Sequence, residues 1–215
     1  MSFFLAFFLL SVQFATPAAP DLNSLIDGVS RTFAHMRDFS ADFVQLEQNS
    51  LNQKQQGMGH LYLMRPRMAR YEYTKPEEQL FVSNGKTVFF YVPADKQVRK
   101  GAVRDTFDDR IPLMFLVGRS DLRDEFTSFE LLSLKPEIEG TMVIRMHPRR
   151  KTDLAELFME VEPQSYLVRR LVISHDDGSR SDLRFSNIRV NSGLKSSLFD
   201  FKIPDGVRVL EGVGQ

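Results

Sequence analysis

The chain has 215 residues, with Lys+Arg and Asp+Glu both numbering 28 and no cysteine at all. A balanced charge leaves no basic field to hold nucleic acid, and the missing thiols exclude disulfides, thiolate catalysis, thiolate metal sites and a lipid-modified N-terminal Cys. The length suits one domain with a sizeable core that stands on packing alone.

Residues 1–19 carry no charged side chain, run apolar from Phe3 to Leu10 and end in small residues around Ala18. That pattern predicts a secretory signal peptide, since the apolar run is shorter than the roughly 20 residues a membrane span needs. No Lys or Arg precedes the run, so a buried N-terminal helix or a misplaced start stays open as the other reading. Residues 20–215 are then expected to form one exported domain.

From Asp21 to Arg37 the apolar residues Leu22, Leu25, Ile26, Val29, Phe33 and Met36 fall at helical spacing, with Asp21 placed as an N-cap. From Phe39 onward short runs rich in Phe, Tyr, Val and Leu alternate with turn residues, the pattern of an antiparallel sheet or barrel. Strands are predicted at about 40–48, 58–65, 69–74, 78–83, 86–92, 127–134, 140–147, 155–162, 166–175, 181–190 and 198–203. Asn84-Gly85 predicts a type I′ hairpin and Asp176-Asp177-Gly178 a second tight turn. Between the two groups of strands, Pro112 to Val117 predicts a short apolar helix stopped by Gly118. The expected fold is mainly β (α+β): a curved, unclosed antiparallel β-barrel with helices covering its concave apolar face.

Nothing in the sequence assembles into an active site. His35, His60, His147 and His175 are scattered without metal-ligand spacing, and no nucleophile elbow or phosphate-binding glycine loop occurs. The chain is expected to be neither an enzyme nor a cofactor protein. What stands out is apolar sequence in excess of one sheet face, as in Leu61-Tyr62-Leu63-Met64, Phe89-Phe90-Tyr91-Val92 and Leu157-Phe158-Met159. Such a surface is covered either by the protein's own layers or by a greasy ligand. Arg65 follows Leu61 and Leu63 on the same alternating face, just before Pro66. A guanidinium there keeps its charge and must be hydrogen-bonded. It either pairs with a carboxylate or holds backbone carbonyls at the end of a covering helix, as a latch.

At these residues the chain resembles the periplasmic outer-membrane lipoprotein carriers, the LolA family. The resemblance rests on the order and spacing of FSADFVQ (39–45), GHLYLMRP (59–66), RYEYTKPEEQLFVSNGKTVFFYVP (70–93), IPLMFLVG (111–118) and FDFKIPDGVRV (199–209). It departs from the family pattern at Ala69, where an aromatic is usual. The resemblance implies an unclosed barrel whose cavity holds the acyl chains of triacylated lipoproteins, with Arg65 as the arginine that ties the lid to the barrel. The cavity wall is expected to include Leu61, Leu63, Tyr71, Tyr73, Phe81, Phe90, Leu113, Phe115 and Phe158. The implied partners are an inner-membrane ABC transporter as donor and an outer-membrane acceptor, with the carrier itself a periplasmic monomer. A lipid-binding sensor or regulatory module on the same fold, as in RseB-like proteins, is the alternative; those chains carry a further C-terminal domain, which favours the carrier.

Overall fold

The computed structural model describes residues 20–103, 121–151 and 153–212. The signal peptide expected at 1–19 and the helix expected at 112–117 lie outside the described residues.

The α-helix α1 spans Leu22–His35. Asp21 caps it by accepting the Ser24 N–H at 2.8 Å, which satisfies one of the orphan donors of the first turn. Leu25, Ile26, Val29 and Phe33 form its buried stripe.

The strands are β1 (Asp38–Gln48), β2 (Lys54–Met64), β3 (Met68–Lys75), β4 (Gln79–Asn84), β5 (Thr87–Val92), β6 (Gln97–Ala102), β7 (Phe126–Leu132), β8 (Met142–Pro148), β9 (Leu154–Val161), β10 (Val168–His175), β11 (Arg180–Val190) and β12 (Arg208–Glu211). They form one sheet in the order β12-β6-β5-β4-β3-β2-β1-β11-β10-β9-β8-β7. Two meanders, β1 to β6 and β7 to β11, meet where β1 pairs with β11. Among the described residues no ladder joins β7 to β12, so the barrel is unclosed. Every pairing is antiparallel except that of β12, which adds to β6 in parallel.

Three sequence expectations are corrected here. The β4–β5 turn is not type I′: Gly85 has φ +87°, but Asn84 is not in the left-handed region. Its side chain instead accepts the N–H groups of Lys86 at 3.0 Å and Thr87 at 2.8 Å. Residues 198–203 are not a strand. After a short 3-10 turn at Ser196–Phe199 the chain runs across the outer face, setting Phe201 5.3 Å from Phe89 and 5.6 Å from Tyr91. Finally, β6 and β12 were not expected; QVRKGA and RVLE are too polar to show an alternating pattern.

The core lies on the concave face. Ladder register sets Leu63 between Phe39 and Ala69, and Leu61 between Ala41 and Tyr71. All six are buried in one cluster with the apolar stripe of α1. The outer face holds a smaller layer around Val82, Val98 and Phe199. Further along it, Arg170 binds Asp182 through two bonds of 2.8 and 2.6 Å and Glu160 at 2.6 Å. Glu160 also accepts the N–H of Ile138 at 2.9 Å and the hydroxyl of Thr141 at 3.0 Å. Every member of that charged cluster is therefore paired, as burial demands.

Candidate functional site: the apolar wall and its arginine clasp

Arg65 ends up at the last turn of α1. The β2–β3 connection brings the residue after Met64 under the helix C-terminus, and the Arg65 N–H donates to the carbonyl of Arg37 at 3.0 Å. Its guanidinium Nη2 donates to the carbonyl oxygen of Phe33 at 2.9 Å. The cation thus meets both an orphan carbonyl and the negative end of the helix dipole. Among the described residues no carboxylate lies within ion-pair distance of it, so of the two sequence readings the partner is a backbone carbonyl. The buried Nε of Arg65 has no hydrogen-bond partner among the described residues. A shallow crevice with no room for a water molecule, lined by Phe33, Met36, Arg37, Asp38, Phe39, Leu63 and Arg65, lies beside the clasp.

The expected wall residues are partly assembled. Leu61, Leu63 and Tyr71 are buried in the cluster beneath α1, and Tyr73 and Phe81 pack against it. Register places Phe90 opposite Phe81 on the same face. Tyr71 meets Phe81 edge-on at 6.1 Å and Phe43 at the same centroid distance. Phe158 is not on this wall: it alternates with Leu157 and Met159, which join the cluster, and so faces outward beside Arg145 and Val172. Leu113 and Phe115 lie outside the described residues.

Sequence reasoning missed the second half of the wall. Ile144, Met146, Leu157, Met159, Leu171, Ile173, Leu183 and Phe185 line β8 to β11. The alternation was present, but β9 is apolar at successive positions and only pairing decides which set faces in. It also missed Phe43 and Gln45. Tyr73 packs edge-on against Phe43 at 5.0 Å and donates its hydroxyl to Gln45 Oε1 at 2.5 Å. Gln45 Nε2 in turn donates to Ser181 Oγ at 2.8 Å. Burial, with the nearby Glu47 charge adding to it, pushes the Tyr73 phenol far above its ordinary range.

The histidines have ordinary surface partners. His60 Nδ1 lies 2.6 Å from Asp42, and His147 Nδ1 lies 2.9 Å from Ser128 Oγ. Hydrogen bonds from Asn187 and from His60 hold the Asp42 carboxyl below its usual range. Among the described residues no group of three or more His, Asp or Glu side chains is placed to hold a metal, and no helix is long and apolar enough to cross a membrane.

Chemically, this arrangement is an apolar concave wall capped by an amphipathic helix whose end is held by a charge. The model of the family described as outer membrane lipoprotein carrier protein LolA matches residues 34–202. An outer-membrane lipoprotein carrier protein of Azotobacter vinelandii is 31% identical over 216 residues, covering 98% of this chain and 100% of the relative. Another, from Chromohalobacter salexigens, is 28% identical, covering 95% of this chain and 92% of the relative. Among solved structures, an uncharacterized conserved protein from Thermus thermophilus aligns with a TM-score of 0.58 at 13% identity, covering 88% of this chain and 98% of that one. A chain of the Pseudomonas aeruginosa MucA/MucB complex aligns with a TM-score of 0.50 at 11% identity, covering 85% and 62%. These two likenesses concern the fold; the matched family model, spanning Arg65 and every strand of the wall, places this chain in the LolA family of outer membrane lipoprotein carrier proteins.

Proposed function

We propose that the protein is a periplasmic carrier that shields the acyl chains of triacylated lipoproteins and moves them from the inner to the outer membrane. The observation that carries this reading is the pairing of an apolar concave wall with one helix closed over it by Arg65. The donor is an inner-membrane ABC transporter and the acceptor lies in the outer membrane. The carrier works as a monomeric single domain of residues 20–215, after loss of the leader 1–19, and performs no catalysis.

Energetics favour a shuttle over a trap. A buried methylene is stabilised by about 0.8 kcal/mol against water, so three chains of about fifteen methylenes represent on the order of 36 kcal/mol. That exceeds the roughly 18–21 kcal/mol reached by non-covalent complexes. Transfer from bilayer to protein exchanges one apolar surrounding for another, so extraction must be driven at the donor. In the conformation described, the stripe of α1 occupies the wall, and a cargo chain takes its place by displacing it.

The test is mass spectrometry of what co-purifies with the protein from the envelope fraction. Triacylated lipoprotein is expected. Recovery of free lipid alone would favour the sensor reading, and recovery of neither would remove both.

A further inference from the structure

Helix α1 is attached to the sheet by two unequal sets of contacts. Toward β7 and the β9–β10 hairpin they are polar or interlocking. Gly28 is the socket of one: a Cβ there would come within 2.1 Å of the Tyr166 ring, so the missing side chain is the space that the ring fills. Tyr166 is itself fixed in the hairpin, at φ +58° with its N–H on the Glu162 carbonyl at 2.8 Å. One turn further along α1, the Thr32 hydroxyl donates to the Ser165 carbonyl at 3.5 Å. On the adjoining side Ser30 Oγ accepts the Leu122 N–H at 3.2 Å, and Arg123 pairs with Asp27 at 2.6 Å. Arg123 is in turn held where its carbonyl accepts Arg149 Nη2 at 2.7 Å.

Toward β1 to β3, the side-chain polar tie from the helix is Arg65 to Phe33 alone among the described residues. The remaining contacts there are apolar. Hydrocarbon can replace apolar contacts with little change in free energy, whereas it offers no partner to a hydrogen-bonding or charged group, so a chain that covered the polar contacts would lose them without return. An acyl chain can therefore substitute for one side of the α1 seat and not for the other.

We infer that Gly28 and Tyr166 are positioning residues: they keep α1 on the β9–β10 hairpin when the Arg65 clasp opens, so that the helix parts from β1 to β3 and the acyl chain lodges on that side. The inference rests on the carrier reading for the identity of the ligand, but the helix motion is measurable without one.

The chain has no cysteine, so paired spin labels can be introduced without interference. Labels at Arg31→Cys and Lys86→Cys span α1 and the β4–β5 turn, while Arg31→Cys with Gln164→Cys spans α1 and the β9–β10 hairpin. In ligand-free Arg65→Leu, the first distance distribution shifts to longer values and the second stays where it is in wild type. Adding a tripalmitoyl-cysteine lipopeptide to the wild-type background gives the same pattern. Tyr166→Ala adds broadening of the second pair; Gly28→Ala does the same if it folds. Lengthening of the Arg31–Gln164 pair in Arg65→Leu, or no change in either pair, overturns the inference. If Arg65→Leu behaves as stated but the lipopeptide neither binds nor moves either pair, the helix mechanics stand and the carrier reading fails. Should Arg65→Leu not fold, Arg65→Lys replaces it with the same readout.

Discussion

Arg65 Nη2 reaches the carbonyl oxygen of Phe33 at 2.9 Å, joining residues 32 apart in sequence across the seam between β2 and α1. A charge-assisted hydrogen bond contributes about 1.5–3 kcal/mol, and the partial exposure of this guanidinium puts it at the lower end. Arg65→Leu is therefore expected to remain folded while shifting the closed-to-open balance of α1 roughly tenfold. Binding of an apolar fluorescent dye should rise, and hand-off of bound lipoprotein to acceptor membranes should change. Hand-off indistinguishable from wild type would remove Arg65 from the release step.

The outer-face ionic cluster sets an acid limit. Burial alone would raise the Glu160 and Asp182 carboxyls, but hydrogen bonds from Ile138 and Arg170 to the former, and from Arg170 to the latter, outweigh it, and both lie below the ordinary carboxylate range. Groups depressed in the folded state stabilise it fully above the unfolded value of about 4, and that contribution disappears as pH falls through the folded values. Urea midpoints should hold from neutrality to about pH 5 and drop below about pH 4.

Arg170→Met should invert part of that dependence. With the guanidinium gone, Glu160 keeps its bonds from Ile138 and Thr141 and Asp182 keeps only Arg184 at 3.7 Å, so two close carboxylates lose the cation between them, at a cost of about 3 kcal/mol at pH 7. Mild acid then protonates them, so the gap to wild type narrows on acidification. A constant gap across pH would mean that the cluster is hydrated in solution.

Tyr73 offers a spectroscopic check. Its phenol, raised by burial and hydrogen-bonded to Gln45, should stay neutral when ordinary tyrosines ionise near pH 10. Subtracting the alkaline absorbance titration of Tyr73→Phe from that of wild type should give no step near pH 10 in folded protein and a full step in guanidinium. The substitution itself should cost about 1 kcal/mol.

Gly59 tests the ladder between β2 and β3. A Cβ at that position would lie 1.8 Å from the Glu72 carbonyl oxygen and 2.7 Å from its carbon, and backbone cannot step aside as a flexible side chain would. Gly59→Ala should destabilise by at least the 1–3 kcal/mol typical of overpacking, about the lower bound for a clash with main chain. A melting temperature equal to wild type would contradict the register at the Met58/Gly59 irregularity.

Helix α1 and the hairpins from β1 to β5 were legible because their patterns are local: an N-cap before a 3.6-residue stripe, and alternating runs between turn residues. That Arg65 needs acceptors was legible from chemistry, as a permanent cation beside Leu61 and Leu63, but the choice between a carboxylate and a backbone carbonyl was not, because the Phe33 carbonyl comes from a helix 32 residues away. The face of β9 was not, because Leu157, Phe158 and Met159 are all apolar and only pairing with β8 and β10 fixes which of them face in. The aromatic ring of Phe158 drew the expectation inward, whereas β9 turns Leu157 and Met159 that way. The 198–203 segment misled for a related reason. Phe199, Phe201 and Ile203 alternate as a strand would, but here the alternation serves packing across the sheet, without ladder bonds.

That crossing segment also makes the finish of the outer face depend on the far end of the sheet's own chain. Phe199 and Phe201 follow both meanders in the chain, so the cover over Phe89 and Tyr91 on the outer flank of β4 to β6 comes from a segment that no ladder of the meanders needs. A chain cut before Lys195 would leave those two rings facing solvent, an apolar flank open to self-association that the intact chain covers from within.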